Sequence, residues 1–311
     1  MNGKNLLLLI TLAALWGPSF LFIKVAVEEI PPLTLVLGRV AVGAAFLLIV
    51  LLSQGRRLPT DRRLWRHLAV VAMLHNALPW VLLSWGEQYI DSALASILNG
   101  TTPLFTIILA HFLVAGDRMT VPKMLGVLLG FAGLFLLILP SLSGGAQAST
   151  WGLLAVTAAA AVYGVAMIYS RNHLRGLPPL VAPASQLLLA TGYMLPVALL
   201  VDRPWTLDRP STVALGSLFL LGILGTGLAF IVYYRLLETA NPTYISMVTY
   251  VIPVFGVILG VLVLGEQLTW YALAGFALIL LGVMVVNGLF ANHMPIWRRN
   301  HRQPSEVSDD V

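Results

Sequence analysis

Seven side chains that carry aromatic, imidazole or amide groups lie inside long apolar segments of the sequence. They are Trp16, His75, Trp80, Asn99, Tyr163, Gln186 and Tyr250. Rings stack on flat or cationic molecules, and amides hydrogen-bond to polar groups. The sequence therefore predicts a binding site for a small organic molecule at these residues. Core packing and hydrogen bonding between helices are the alternative roles for each of them.

The acidic residues show no comparable pattern for catalysis or metal binding. All 13 Asp and Glu residues, from Glu28 to Asp310, fall in predicted loops, tails or ends of apolar segments. The sequence contains no metalloprotease, clustered-aspartate or serine hydrolase signature and no cysteine. We expect no catalytic residue, no metal site and no cofactor, which disfavours an enzyme.

The composition places the candidate residues in a membrane. Hydrophobic residues make up 59% of the 311 residues and charged residues 10%, whereas soluble proteins carry about 25% charged residues. A helix that crosses the hydrocarbon needs about 20 apolar residues. The apolar runs cover about residues 5–26, 33–53, 67–86, 92–114, 121–139, 150–170, 181–201, 211–234, 243–264 and 270–290. The sequence thus predicts an all-α integral membrane protein with ten transmembrane helices.

The basic residues predict how these helices are oriented. Of the 18 Lys and Arg residues, 14 fall on the side of the N-terminus, three on the opposite side, and Arg39 inside the second span. Because cytoplasmic loops are rich in Lys and Arg, both termini are predicted to be cytoplasmic, in a bacterial-type inner membrane. Basic residues in short loops beside lipid-embedded spans also argue against a nucleic-acid partner. The expected partners are the lipid bilayer and a small-molecule substrate.

The sequence also contains an internal duplication. Ser96 and Pro103 recur as Ser246 and Pro253 at an offset of 150 residues. Each half carries five spans, an odd number, so the second half enters the membrane from the opposite side. We predict a first five-helix repeat over 1–139, an outer linker over 140–149, a second, inverted five-helix repeat over 150–290, and a cytoplasmic polar tail over 291–311. Inverted repeats are typical of secondary transporters, whose substrate sites lie near the midplane, although duplication also occurs in channels.

Taken together, these features resemble the EamA-type members of the drug/metabolite transporter superfamily. The resemblance rests on the five-plus-five inverted spans, on the pairs Trp16-Gly17 and Tyr163-Gly164, each followed seven residues later by a basic residue, and on Ser-x6-Pro segments that end in Gly-Asp and Gly-Glu. It implies a ten-helix carrier, often an exporter of amino acids, including aromatic ones, or of related metabolites. One position departs from symmetry, because Arg39 aligns with Gln186.

The resemblance and the candidate residues lead to one functional hypothesis. It is a secondary transporter that exports neutral or aromatic amino acids by alternating access through a midplane cavity between the repeats. A multidrug or other small-metabolite transporter is the alternative, followed by a channel. Pro103 and Pro253, near the centres of the fourth and ninth spans, are the predicted hinges; static kinks that shape packing are the other reading.

The driving force and the scaffold follow from what the spans lack. No carboxylate falls inside a predicted span, Arg39 does not deprotonate usefully, and a buried His75 is expected to be neutral rather than a proton carrier. We therefore expect movement down the substrate's own gradient with at most weak proton dependence. The fifth and tenth spans, rich in glycine and almost free of polar residues, are expected to form a scaffold or a dimer contact.

Overall fold

A computed structural model of the chain describes residues 3–114, 117–143, 147–174, 176–240 and 242–288. Over these residues, nine apolar helices are long enough to cross a membrane and a tenth is shorter. The helices are α1 (Gly3–Val27), α2 (Pro32–Ser53), α3 (Arg62–Gly86), α4 (Ser92–Leu113), α5 (Val121–Leu142), α6 (Ser149–His173), α7 (Val181–Val201), α8 (Thr212–Thr239), α9 (Tyr244–Leu264) and α10 (Trp270–Val286). The predicted all-α, ten-helix fold is confirmed. Positions 144–146 of the predicted linker and the predicted tail 291–311 lie outside the described residues.

Helix ends follow local capping as well as hydropathy. α3 begins five residues before the predicted position 67, because Asp61 Oδ1 accepts a hydrogen bond from the Arg63 N–H at 2.8 Å. Ser211 and Thr269 cap α8 and α10 in the same way, by accepting from Ala214 and Ala272. A side-chain oxygen in this position satisfies an N–H that the helix itself leaves unpaired. Hydropathy alone therefore misplaces the start of a helix whose first turn is polar.

Several helices are interrupted inside the apolar region. α1 consists of Gly3–Trp16 and Pro18–Val27, and α4 of Ser92–Asn99 and Thr102–Leu113. α3 and α8 each contain a π-helical turn, at Ala72–Ala77 and Ile223–Leu228. π turns leave the regular hydrogen-bond ladder and often mark functional positions. The two π turns occupy matching places in the two halves of the chain.

The two halves pack against each other through counterpart helices. α2 packs on α7, α4 on α9 and α5 on α10, while α1 packs on α8 and α3 on α6. A pseudo-two-fold axis exchanges the last two pairs and maps each of the first three onto itself. Contacts between the halves therefore run through the whole bundle.

α5 and α10 lie antiparallel and touch through glycines. A Cβ added to Gly126 would come within 2.7 Å of the Gly282 carbonyl oxygen, and one added to Gly133 within 2.6 Å of that of Gly275. Glycine is needed here because any side chain would separate the two backbones. These glycines make a contact within the chain, as a scaffold requires.

The bundle has two ends, which we name by their loops. The linker face carries the loops 28–31, 87–91, 202–211 and 265–269, and the terminal face carries the loop 54–61 and the described residues between α4 and α5, between α6 and α7 and between α8 and α9. The charge distribution predicts that the terminal face is cytoplasmic.

Candidate functional site

A buried guanidinium lies where α2, α3 and α8 meet. Arg39 of α2 is 6% exposed, and its Nε donates a hydrogen bond to Thr226 Oγ1 at 3.1 Å. Thr226 sits in the π turn of α8, and its hydroxyl donates to the Leu221 carbonyl at 2.9 Å. The Arg39 Cζ lies 3.8 Å from the centre of the Trp80 ring, just after the π turn of α3. Side chains from both halves of the chain thus hold one cation in place.

Two further rings extend this arrangement. Tyr163 of α6 lies close to Trp80 and to Arg39. The Tyr163 ring meets the His75 ring edge to face at 5.5 Å between centroids, and His75 Nδ1 lies 3.3 Å from Asn76 Oδ1. We call Arg39, His75, Trp80, Tyr163 and Thr226 the central cluster. It combines a cation, a hydroxyl and aromatic surfaces.

The other four candidates make contacts of their own. Trp16 packs on Tyr233 with ring centroids 5.7 Å apart, and Gln186 is buried on α7. The Asn99 Oδ1 is buried, and no hydrogen-bond partner for it is found among the described residues. Tyr250 donates to the Val283 carbonyl at 3.2 Å and accepts from Asn287 Nδ2 at 2.7 Å. Its hydroxyl therefore ties α9 to the end of α10.

Sequence reasoning left two members of the central cluster out of the candidate site. The sequence places Arg39 inside the second span without indicating a role in binding, and its pattern does not distinguish Thr226. Thr226 is the repeat counterpart of Asn76 at the offset of 150, and both are fully buried. Applying the duplication to the polar neighbour of His75 would have pointed to Thr226.

The predicted hinges lie at the crossing of α4 and α9. The break in α4 falls at Gly100 and Thr101, and Pro103 stands at the start of the helical segment that follows. Pro253 lies inside the continuous segment Val248–Leu264, while the irregular residue of α9 is Met247. A Cβ on Gly100 would come within 3.1 Å of Pro253 Cγ. The two helices thus differ in where they break, although their prolines are equivalent in the repeat.

On the linker face, three carboxylates each bond to the N-terminus of a helix in the opposite half. Glu29 accepts from the Ser211 N–H and hydroxyl at 2.6 Å each, at the start of α8. Asp202 accepts from the Thr34 N–H at 2.7 Å and its hydroxyl at 2.8 Å. Glu266 accepts from the N–H groups of Ser92 at 2.7 Å and Ala93 at 2.9 Å, at the start of α4. An anion is favoured at a helix N-terminus, so these bonds hold the two halves together at this face.

One carboxylate at a span end is buried, which the sequence did not indicate. Glu87, the residue after α3, is 0% exposed. Burial raises the pKa of its carboxyl well above the usual range; Lys24 opposes this shift, Glu266 adds to it, and Arg39 opposes it. Glu87 is buried although Gln88 and Tyr89 of the same loop are exposed. No carboxylate lies in the interior of the spans among the described residues, as predicted, but Glu87 is a buried titratable group at the end of one.

Comparison with known proteins gives a family and a fold. The model of the EamA-like transporter family matches residues 3–139 and again 150–288. A crystal structure of a protein superposes with a TM-score of 0.65 at 21% sequence identity, covering 93% of this chain and 99% of that one. At that identity the superposition shows the fold alone.

Three relatives match over most of their length. The uncharacterized transporter YoaV of Bacillus subtilis is 27% identical, over 91% of this chain and 96% of its own. An uncharacterized transporter of Archaeoglobus fulgidus is 28% identical, over 91% of this chain and 98% of its own. The uncharacterized inner membrane transporter YedA of Escherichia coli K12 is 26% identical, over 85% of each chain.

Proposed function

We propose that this chain, which belongs to the EamA-like transporter family, exports neutral and aromatic amino acids by alternating access between its two inverted halves. Its family and relatives make it a membrane transporter of small molecules. The names of the family and of the relatives indicate transport, and we propose that the chain carries out no catalysis. The substrate, the direction and the mechanism are the proposed part.

The observation that carries this proposal is the fixed guanidinium of Arg39 among aromatic rings. Among the described residues, its hydrogen bond to protein runs from Nε to Thr226. The planar guanidinium recognises carboxylates through paired hydrogen bonds from its other nitrogens. A buried cation of this kind suits the carboxylate of an amino acid, and the rings of Tyr163 and His75 suit an aromatic side chain.

Contacts between the halves support alternating access. The central cluster draws Arg39, His75 and Trp80 from the first half and Tyr163 and Thr226 from the second. We propose that the substrate binds between them, with Trp16, Asn99, Gln186 and Tyr250 acting on neighbouring surfaces. The carboxylates at the linker face hold that end together, and opening it requires breaking bonds from Glu29, Asp202 and Glu266. Pro103 and Pro253, at the crossing of α4 and α9, are the proposed hinges.

The orientation and the domain limits belong to the same proposal. We propose that the terminal face is cytoplasmic, that the repeats span 1–139 and 150–290, and that the linker 140–149 lies outside. A bacterial cytoplasmic membrane is the proposed location, in line with the name of the Escherichia coli relative. Reporter fusions that place the linker in the cytoplasm would contradict this orientation.

Purified protein in liposomes tests the substrate class. Uptake is measured for labelled amino acids, aromatic cations, sugars and nucleotides. We expect saturable uptake and counterflow of phenylalanine, tyrosine or neutral amino acids, which Arg39→Gln abolishes and the exposed control Arg209→Gln does not. Transport of aromatic cations alone would instead support a multidrug transporter. Flux without saturation or counterflow would indicate a channel.

A further inference from the structure

Glu87 is a carboxyl group enclosed at the linker face. It directly follows the last residue of α3 and is 0% exposed. Neither of its carboxylate oxygens has a hydrogen-bond partner among the described residues. An ionised carboxylate without hydrogen bonds is costly to bury, whereas the neutral acid is much less so. The enclosed state therefore favours a protonated Glu87.

The charged groups around Glu87 do not neutralise it by direct pairing. Lys24 of α1 favours the ionised carboxyl, but its Nζ donates to the main-chain carbonyls of Glu87 and Ile90, at 2.8 Å each. Arg39 of α2 also acts on the carboxyl, and Glu266 of the loop after α9 repels its ionised form. Burial is the largest influence, and it raises the pKa of Glu87 well above the usual range.

The contacts that close the linker face meet beside Glu87. Lys24 holds the loop 87–91 from one side, and Glu266 holds the adjoining start of α4 from the other. A cavity of about 440 Å³ lies beside this junction. Its lining residues are Lys24, Glu28, Asp91, Leu264, Gly265, Glu266 and Gln267. Separation of α1, the loop 87–91 and the loop after α9 would expose Glu87 to water.

We propose that Glu87 is a proton-binding site that is loaded when the linker face closes and emptied when it opens. On opening, the carboxyl O–H bond breaks, the proton passes to water, and the carboxylate keeps the electron pair. Closing reverses the step. The inference rests on the proposed alternating access, because it requires the linker face to open, and it makes that opening dependent on proton concentration.

The direction of the pH effect follows from linkage. The pKa of Glu87 is raised in the closed state relative to an open state in which water reaches it, so the closed state binds more protons. Acidic solution at the linker face therefore favours the closed state. The preference is lost as pH rises through the closed-state pKa of Glu87.

Distance measurements between introduced thiols test this proposal. The chain has no cysteine, so Gln88→Cys and Gln267→Cys, both at exposed positions, can carry spin labels without background. In liposomes, we expect a long-distance population that grows from mildly acidic to alkaline pH. Glu87→Gln, which mimics the protonated acid, should stay at short distance at every pH. Glu28→Gln, an exposed residue of the same cavity, should keep the wild-type response.

An equal pH response in the Glu87→Gln protein would overturn the proposal. Size-exclusion chromatography shows whether this variant folds. A second measurement uses the unsubstituted protein and does not depend on the variant. Its infrared spectrum should contain a protonated carboxylic acid band at neutral pH that fades together with the short-distance population. A spectrum without that band would also overturn the proposal.

Transport in the same liposomes separates this inference from the proposed function. Distances that respond to pH through Glu87, in a protein that moves none of the tested amino acids, would support the proton site and contradict the proposed substrate. Amino-acid transport in a protein whose spin-label distances do not change with pH would support the proposed function and contradict the proton site.

Discussion

The Arg39 guanidinium carbon lies 3.8 Å from the centre of the Trp80 ring, and the Arg39 Nε is bonded to Thr226 at 3.1 Å. The cation is thus held by a ring from its own half and by a hydroxyl from the other half. A fixed guanidinium loses less freedom when it binds a carboxylate than a mobile one does. Trp80 and Thr226 therefore hold Arg39 in the fixed position that the proposed carboxylate contact requires.

Replacing Arg39 tests its proposed contact with a substrate carboxylate. Arg39→Lys keeps the charge but loses the planar pair of donors, and a hydrogen bond to a charged group contributes about 1.5–3 kcal/mol. We expect amino-acid binding to weaken by about 10- to 100-fold. Binding of labelled substrate to purified protein is the measurement, and Arg209→Lys is the control. Unchanged affinity in Arg39→Lys would contradict the proposed contact between Arg39 and the substrate carboxylate.

The two tyrosines among the candidate residues should behave differently. Tyr163→Ala removes a ring of the central cluster, and an aromatic pair contributes about 0.5–1.5 kcal/mol beyond its area, so we expect affinity to fall by about 2- to 12-fold. Tyr250→Phe keeps the ring but removes the hydroxyl that joins α9 to α10, so it should lower the apparent Tm and reduce affinity less than Tyr163→Ala does. Affinity and melting are measured on the same preparations. If Tyr250→Phe alone lost affinity, the substrate would bind near α10 and not at the central cluster.

The hinge proposal concerns rates more than affinity. Pro103 stands just after the break in α4, and replacing it with alanine lets the helix restore a backbone hydrogen bond across that break. We expect Pro103→Ala and Pro253→Ala to slow transport while binding is retained. Initial rates and equilibrium binding are compared for both variants. A double variant that transports at the full rate would show that the prolines only shape static packing.

The antiparallel glycines of α5 and α10 predict a loss of stability. A methyl group at Gly126 would come within 2.7 Å of the Gly282 carbonyl oxygen, so Gly126→Ala forces the helices apart. Overpacking of this kind costs about 1–3 kcal/mol. Thermal unfolding in detergent should show a lower Tm. Gly192→Ala in α7 is the matched control, because nothing lies within 4 Å of a Cβ added there.

The carboxylate at the start of α2 gives a further stability test. Asp202→Ala removes both bonds to Thr34, and the loss of a capping side chain costs about 0.5–2 kcal/mol. Asp202→Asn keeps an acceptor and should cost less. Asp208→Ala, an exposed residue of the same loop, should leave the Tm unchanged. Equal melting of all three variants would mean that this cap does not hold the halves together.

Hydropathy and repetition were sufficient to predict the ten helices and the counterparts in the two halves. Hydropathy also indicated His75, Trp80 and Tyr163 as candidates, because each places a ring with a polar atom inside an apolar segment. Neither hydropathy nor repetition indicated that the rings surround Arg39, since that contact depends on how α2 crosses α3 and α8. Tyr250 looked equivalent to the other rings, but its hydroxyl partners lie on α10, which no pattern in its own helix reveals.

Glu87 shows a different limit of sequence reasoning. Its place at the end of an apolar run suggests water contact, and nothing local distinguishes it from Glu28 or Glu29, which are exposed. Its side chain is nevertheless 0% exposed. The environment of a residue at a helix end is a tertiary property.

The pairing of Arg39 with Gln186 across the pseudo-two-fold bears on how such a chain can evolve. An ancestor built from two identical five-helix subunits would carry the same residue at both positions. Two buried guanidiniums would each need compensation in a medium of low dielectric constant, and two amides would offer no charge. Fusing the duplicated genes lets each copy mutate separately. A buried arginine in one half alone is therefore a capacity that a symmetric homodimer does not have.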